Sequence, residues 1–238
     1  MRNKLETVIN NFYNYKKIIF DCDGVVFDSN YLKNKIFKEI LLRENISRKH
    51  IGHFLDYHKL NGGKPRLEKF IYLEKVILKN KKKDISKRLL KSYGNLTKKM
   101  YINEANFVTG IIRFLKIIKT NFKNINCYIV SGSDEKELIN VFKKKKITKY
   151  FKKIYGSPDN KFKIISKKNL HKNYKQTLYF GDALMDYKVA TYNNYDFVFV
   201  NFRSDFDYKK IKNKKLIVIK NFLLISKLVK KLTTLNKI

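Results

Sequence analysis

The residues of this chain best able to do chemistry stand in four short runs. The first is Asp21-Cys22-Asp23-Gly24-Val25-Val26-Phe27-Asp28-Ser29, directly after the apolar stretch Ile18-Ile19-Phe20. Two carboxylates two residues apart, then a glycine, at the mouth of a strand are poor packing material. An unpaired buried carboxylate is costly, so the cluster must face water, a cation or a reacting group. The other runs are Ser131-Gly132-Ser133, then Gly156-Ser157-Pro158 with Lys161 shortly after, then Gly181-Asp182 with Asp186. Taken singly, each reads as a turn, a helix cap or one lysine among many. Each also follows a strand-like run, and in doubly wound sheets functional residues gather at the carboxyl ends of strands.

As a set the four runs are physically coherent. Asp21, Asp182 and Asp186 would meet at one edge of a sheet, where two like charges about 4 Å apart repel by about 4 kcal/mol at an effective dielectric of 20. A hard divalent cation removes that penalty, and carboxylates with water are the ligands Mg²⁺ prefers. The Ser131 hydroxyl and the backbone N–H groups around Gly132 can hold phosphate oxygens, and Lys161 can neutralise a transferring phosphoryl group.

Stepwise along the chain, helical spacing over Leu32, Ile36, Phe37, Ile40 and Leu41 predicts a helix after Asp28 and Ser29, both good N-caps. A second helix runs through Ile51, Phe54 and Leu55 to about Leu60, and Asn61-Gly62-Gly63 breaks it. Pro65 starts a third, with Leu67, Phe70, Ile71 and Ile77 as its buried stripe, ended by Lys81-Lys82-Lys83. A fourth spans Ile85 to Tyr93. From about residue 104 the pattern changes to strands near Cys127–Val130, Phe151–Tyr155, Leu178–Phe180, Phe197–Val200 and Leu216–Ile219, alternating with helices. The expected fold class is α/β: a doubly wound, mostly parallel sheet covered on both faces, with an all-helical insertion. The boundaries are 1–28 and 104–238 for the sheet domain and 29–103 for the insertion, which is too long for an ordinary loop.

Composition bounds the rest. The 238 residues are 44% hydrophobic, enough for a real core. No apolar run approaches the roughly 18 residues of a membrane span, and the first residues lack a signal peptide's apolar centre. Cys22 and Cys127 form no CxxC, so neither a disulfide framework nor a zinc site is expected. The reading is a cytoplasmic protein with no membrane partner. The 54 basic against 20 acidic residues, a net charge of +34, invite a nucleic-acid reading. The lysines are spread over the whole chain, however, and charges on opposite faces are screened over about 8 Å. A solvated basic surface is favoured over nucleic acid as a partner.

The motifs resemble those of the haloacid dehalogenase superfamily of phosphotransferases, and the resemblance covers nearly the whole chain. Asp21-x-Asp23-Gly24-Val25 matches its first motif, Ser131 its second, Lys161 its third, and Gly181-Asp182-x-x-x-Asp186 its fourth. By that resemblance Asp21 is a nucleophile that forms an aspartyl-phosphate. Asp23 protonates the leaving alcohol and then helps deprotonate water. Mg²⁺ is held by Asp21, the Asp23 backbone carbonyl and Asp182, with Asp186 in the first or second sphere. Asp23 speaks against the dehalogenase branch, and Phe162 departs from the proline many relatives carry after the lysine. The insertion resembles the family's helical cap, and Gly63, Lys64 and Arg66 its substrate-facing segment. Arg66 suits a second anionic group, or is a plain exposed turn residue. His50, His53 and His58 make no convincing metal set.

These expectations amount to a Mg²⁺-dependent phosphatase of a small phosphorylated metabolite, a sugar phosphate or related phosphomonoester. A phosphomutase of the same fold is the alternative, and a basic nucleic-acid-binding protein without turnover is a more distant one.

Overall fold

The computed structural model describes residues 2–79, 84–172 and 174–235. Its centre is β1 (Lys17–Phe20), all four residues of which are buried. β1 pairs in parallel with β4 (Asn126–Asp134) on one side and β6 (Thr177–Gly181) on the other. β5 (Lys153–Ser157), β7 (Asp196–Val200) and β8 (Ile217–Ile219) complete a parallel sheet of order β5-β4-β1-β6-β7-β8. Because successive side chains point to opposite faces, Ile18 and Phe20 join one core and Ile19 the other. The first face is covered by α1 (Arg2–Asn10), α6 (Ile111–Asn121), α7 (Glu135–Lys144) and α10 (Leu223–Leu235). The second is covered by α8 (Lys161–Lys167) and α9 (Leu184–Tyr192).

The helical insertion leaves and returns through a short antiparallel ribbon, β2 (Phe27–Asp28) with β3 (Asn106–Phe107). Its helices are α2 (Asn30–Arg43), α3 (Arg48–Leu60), α4 (Arg66–Tyr72) and α5 (Ile85–Glu104). They pack around Ile36, Phe37, Phe54, Phe70, Leu89 and Tyr93, an apolar core separate from those of the sheet.

Local differences from the sequence reading have identifiable causes. α4 widens into a π turn over Leu73–Ile77, which rotates the apolar stripe. Phe70 and Leu73 are buried, while Leu67 and Ile71, expected inside, are 39% and 37% exposed. Helix α5 continues past Tyr93 to Glu104 because Tyr101 carries its inner face into the sheet domain. Helix α1, to which the sequence reading assigned no element, is held by Leu5, Val8 and Ile9. Lys81, Lys82 and Lys83 lie outside the described residues. Phe162, the departure from the family's proline, packs edge-on against Tyr192 at 5.5 Å.

Candidate active site

Asp21 follows β1, and its backbone N–H still donates to Phe180 O at 2.9 Å, so sheet pairing fixes the nucleophile candidate. Gly24 has φ +77°, and a Cβ there would lie 2.0 Å from Asp182 Oδ2; only glycine lets the chain turn that close to the carboxylate. In β4 the register against β5 shifts between Val130 and Asp134. Such a bulge re-aims side chains, and here it lifts Ser131-Gly132 to the edge beside Asp21. All four expected runs therefore meet at one end of the sheet. The cavity between sheet and cap is lined by Asp21, Asp23, Ser131, Gly132, Asp182 and the cap's Gly63-Lys64.

Carboxylate oxygens of Asp21, Asp182 and Asp186, all buried, lie within 4.8 Å of one another. Lys161 Nζ reaches Asp186 at 2.5 Å and Asp21 at 2.8 Å with no side-chain exposure. Burial opposes its charge, but the carboxylates of Asp186 and Asp21 outweigh burial and hold its pKa above the ordinary lysine value. Asp186 is fully engaged: Oδ1 also accepts from the Tyr179 hydroxyl at 2.9 Å and Oδ2 from the Ala183 N–H at 3.1 Å. Its visible work is to seat Lys161. Asp182 accepts from Asn30 at 2.8 Å, yet burial first, then the charges of Asp21 and Asp186, push its carboxyl well above the usual range. Burial likewise raises Asp21 against the pull of Lys161. Asp21 Oδ1 is close to Lys161 but receives no hydrogen bond of proper geometry. Three buried carboxylates against one ammonium, one oxygen of them without a donor, are a donor set that fits a hard divalent cation.

Asp23 sits in a different field. Its Oδ1 accepts from Ser29 at 2.6 Å and Tyr101 at 2.5 Å. Its Oδ2 accepts from Ser133 at 3.1 Å and pairs with Lys33 of the cap. Burial alone would raise this carboxyl, but Lys33 and the hydroxyls bring it down to about 2. Ser29, expected as a plain helix cap, makes no cap hydrogen bond; its hydroxyl is committed to Asp23. The sequence reading missed Lys33, Tyr101 and Ser133 as partners of Asp23. A signal existed for Lys33: four residues after Ser29, it shares the face of α2 that overhangs Asp23.

The cap segment divides. Gly63 and Lys64 line the cavity, and a Cβ on Gly132 would lie 2.3 Å from Gly63 O, so the cap loop rests on the phosphate-loop candidate backbone to backbone. Arg66 does not face the cavity. It forms a two-pronged pair with Glu137 of α7 at 3.1 and 2.8 Å and lies 4.5 Å over the Tyr93 ring. Neither expectation holds in this conformation, since a buried guanidinium answered by a carboxylate is neither a free anion receptor nor an exposed turn residue. Arg66→Met is therefore expected to destabilise the fold by about 3–5 kcal/mol by stranding Glu137. Glu137→Gln in the same chain should recover part of the loss, as read by urea unfolding.

Of His50, His53 and His58 only His58 is buried; its Nδ1 is 2.8 Å from Lys69 Nζ. Burial, then Lys69 and Lys33, hold its pKa well below the ordinary 6.5. The folded state thus refuses a proton that the unfolded chain takes up below about pH 6.5, and stability falls as pH drops through that range. His58→Gln should flatten this part of the unfolding profile between pH 7.5 and 5; an unchanged slope would refute the assignment.

A profile of the family described as haloacid dehalogenase-like hydrolase matches residues 18–200. The chain belongs to this family. A search among curated proteins finds no significant match. Among solved structures, a predicted phosphatase from Clostridium acetobutylicum is 20% identical, with 92% of this chain and 99% of that one covered and a TM-score of 0.71. A β-phosphoglucomutase from Clostridium difficile is 21% identical, with 92% and 99% covered and a TM-score of 0.67. The HAD-hydrolase YfnB from Bacillus subtilis, solved bound to magnesium, is 15% identical, with 91% and 99% covered and a TM-score of 0.66. At such identities the likeness establishes this hydrolase's fold: the parallel sheet and its helical insertion. Among the described residues no helix is long and apolar enough to cross a membrane.

Proposed function

We propose that this hydrolase is a Mg²⁺-dependent phosphatase of a small phosphorylated metabolite, working through an aspartyl-phosphate. In this reading 1–28 and 104–238 form the catalytic core and 29–103 the cap. The observation that carries it is the gathering around Asp21 of the Asp182 and Asp186 carboxylates, of Lys161 paired with Asp21 and Asp186, and of Ser131 and Gly132 in the lining of the same cavity. Asp21, Asp182 and the Asp23 backbone carbonyl would hold Mg²⁺, with Asp186 behind them. The magnesium reported for YfnB, which shares the fold, agrees with that choice of cation. Bound there, the cation offsets the charge repulsion between an attacking carboxylate and a phosphate dianion.

The remaining chemistry belongs to the chain. Asp21 attacks phosphorus, and Lys161 and the Ser131–Gly132 donors take up charge on the phosphoryl oxygens. The leaving alkoxide needs a proton from Asp23, and water attacking the aspartyl-phosphate must lose one to it. Paired with Lys33, Asp23 is in its basic form, suited to the second half. When a substrate draws Lys33 away from Oδ2, the carboxyl's pKa rises and it takes a proton from water or from the substrate phosphate, becoming the acid needed for the first. The cap loop lying against Gly132 covers the site and shields it from bulk water.

The test is phosphate release from a panel of small phosphomonoesters, sugar phosphates included, with Mg²⁺ present. Hydrolysis supports the phosphatase reading. Transfer of phosphate between substrate positions without release would establish the phosphomutase alternative.

A further inference from the structure

Among the described residues five buried or half-buried cations stand at the cavity; three are already answered by acids, and Lys64, half-buried, lies 5.8 Å over the Tyr57 ring. Lys161 is paired with Asp21 and Asp186, Lys33 with Asp23, and Arg66 behind the cavity wall with Glu137. The fifth differs in being fully buried without an acid. Lys69 of α4 lines the cavity and is only 4% exposed. Its one recorded partner among the described residues is the Nδ1 of His58, itself packed at 4.5 Å on the Phe37 ring. The charged groups around it are Lys33, Asp23, Asp205 and Lys161. Asp23 is taken by Lys33, and Asp205 accepts from Asn34 at 3.2 and 3.1 Å. A buried ammonium beside an imidazole, with no carboxylate of its own, is costly unless a ligand supplies the negative charge. The sequence reading placed a receptor for a second anionic group at Arg66; the geometry moves it to Lys69.

We infer that Lys69, seated by His58, receives a carboxylate carried by the same small phosphomonoester, so that the substrates are short phosphorylated carboxylic acids. This deepens the phosphatase reading and rests on it. When Lys69 is charged, His58 Nδ1 accepts one of its N–H groups, and two remain to donate to the two oxygens of a carboxylate. Size favours a carboxylate over a second phosphoryl group. The closed cavity measures about 40 Å³, about three water positions at 10–15 Å³ each. Sign favours it too: a second phosphate dianion would bring twice the charge to the one buried ammonium without an acid, with Asp23 and Asp205 nearby.

The experiment compares kcat/KM for 2-phosphoglycolate and 2-hydroxyethyl phosphate, which differ in the carboxylate, for the wild-type chain, Lys69→Met and the exposed control Lys49→Met. The expected wild-type preference is about 30-fold, equivalent to about 2 kcal/mol. Lys69→Met should reduce the ratio to within about threefold, and Lys49→Met should keep it. Methionine fills a lysine-sized slot without charge, so thermal melting of Lys69→Met should match or exceed wild type. A wild-type ratio under about threefold with both esters hydrolysed overturns the inference and leaves the phosphatase reading standing. A preference that survives Lys69→Met overturns it as well, as does faster turnover of ethylene glycol bisphosphate than of 2-phosphoglycolate. Should no phosphate be released even from p-nitrophenyl phosphate, the phosphatase reading fails. Calorimetry with Mg²⁺ and phosphonoacetate against ethylphosphonate then decides the receptor by itself, and equal affinities would reject it.

Discussion

Asp21→Asn is expected to lower phosphate release by at least about 10⁴-fold, the scale on which removal of a nucleophile acts. The amide has no negative charge with which to attack phosphorus, and the aspartyl-phosphate cannot form. The same change takes away one of three crowded carboxylates, so the fold should be as stable as wild type or more so. That pairing of a dead enzyme with an undiminished melting temperature separates a chemical role from a structural one. Residual turnover within tenfold of wild type would remove Asp21 from the mechanism. The companion measurement is trapping of labelled phosphate on the protein, expected in wild type and absent in the variant.

The second large effect concerns the cation. Without it, Asp182 is buried among like charges that raise its carboxyl well above the usual range. Chelation by EDTA should stop turnover, and added Mg²⁺ should restore it. At Mg²⁺ about 100 times its dissociation constant, binding adds about 2.7 kcal/mol of stability. For a chain of this size that is a rise of about 5–10 °C in melting temperature. Asp182→Asn should behave differently. It should melt higher than wild type in EDTA, because a repelling charge is gone, and it should gain little from Mg²⁺ while losing activity. A variant that still gains the full Mg²⁺ increment would show that the cation binds elsewhere.

Both outcomes depend on residues that could be named from the chain alone, and the reason is local. Asp21, Ser131, Lys161 and Asp182 each follow an apolar run or a helix-capping residue, so their place at a strand end or a helix start is set by neighbours in sequence. A parallel sheet with right-handed crossovers brings those ends to one edge whatever the helices contain. The fold class, the helical insertion and the acidic cluster were legible for that reason.

What only the tertiary structure decided is how the many cations are shared out. With 54 lysines and arginines in the chain, nothing local marks Lys33 as the partner of Asp23, Arg66 as the partner of Glu137, or Lys69 as a cation buried without an acid. Those assignments depend on how α2 and α4 sit over β1 and α7, contacts between residues 10 to more than 70 positions apart in the chain. Partners then separate groups equally buried and of one chemical kind: Lys33 and the hydroxyls bring Asp23 down to about 2, while burial and the neighbouring carboxylates push Asp182 up. The order of residues determines which side chains reach the sheet edge. Packing between cap and core determines which charges are already answered there, because an ion pair is a property of distance and dielectric, neither of which is written in sequence spacing.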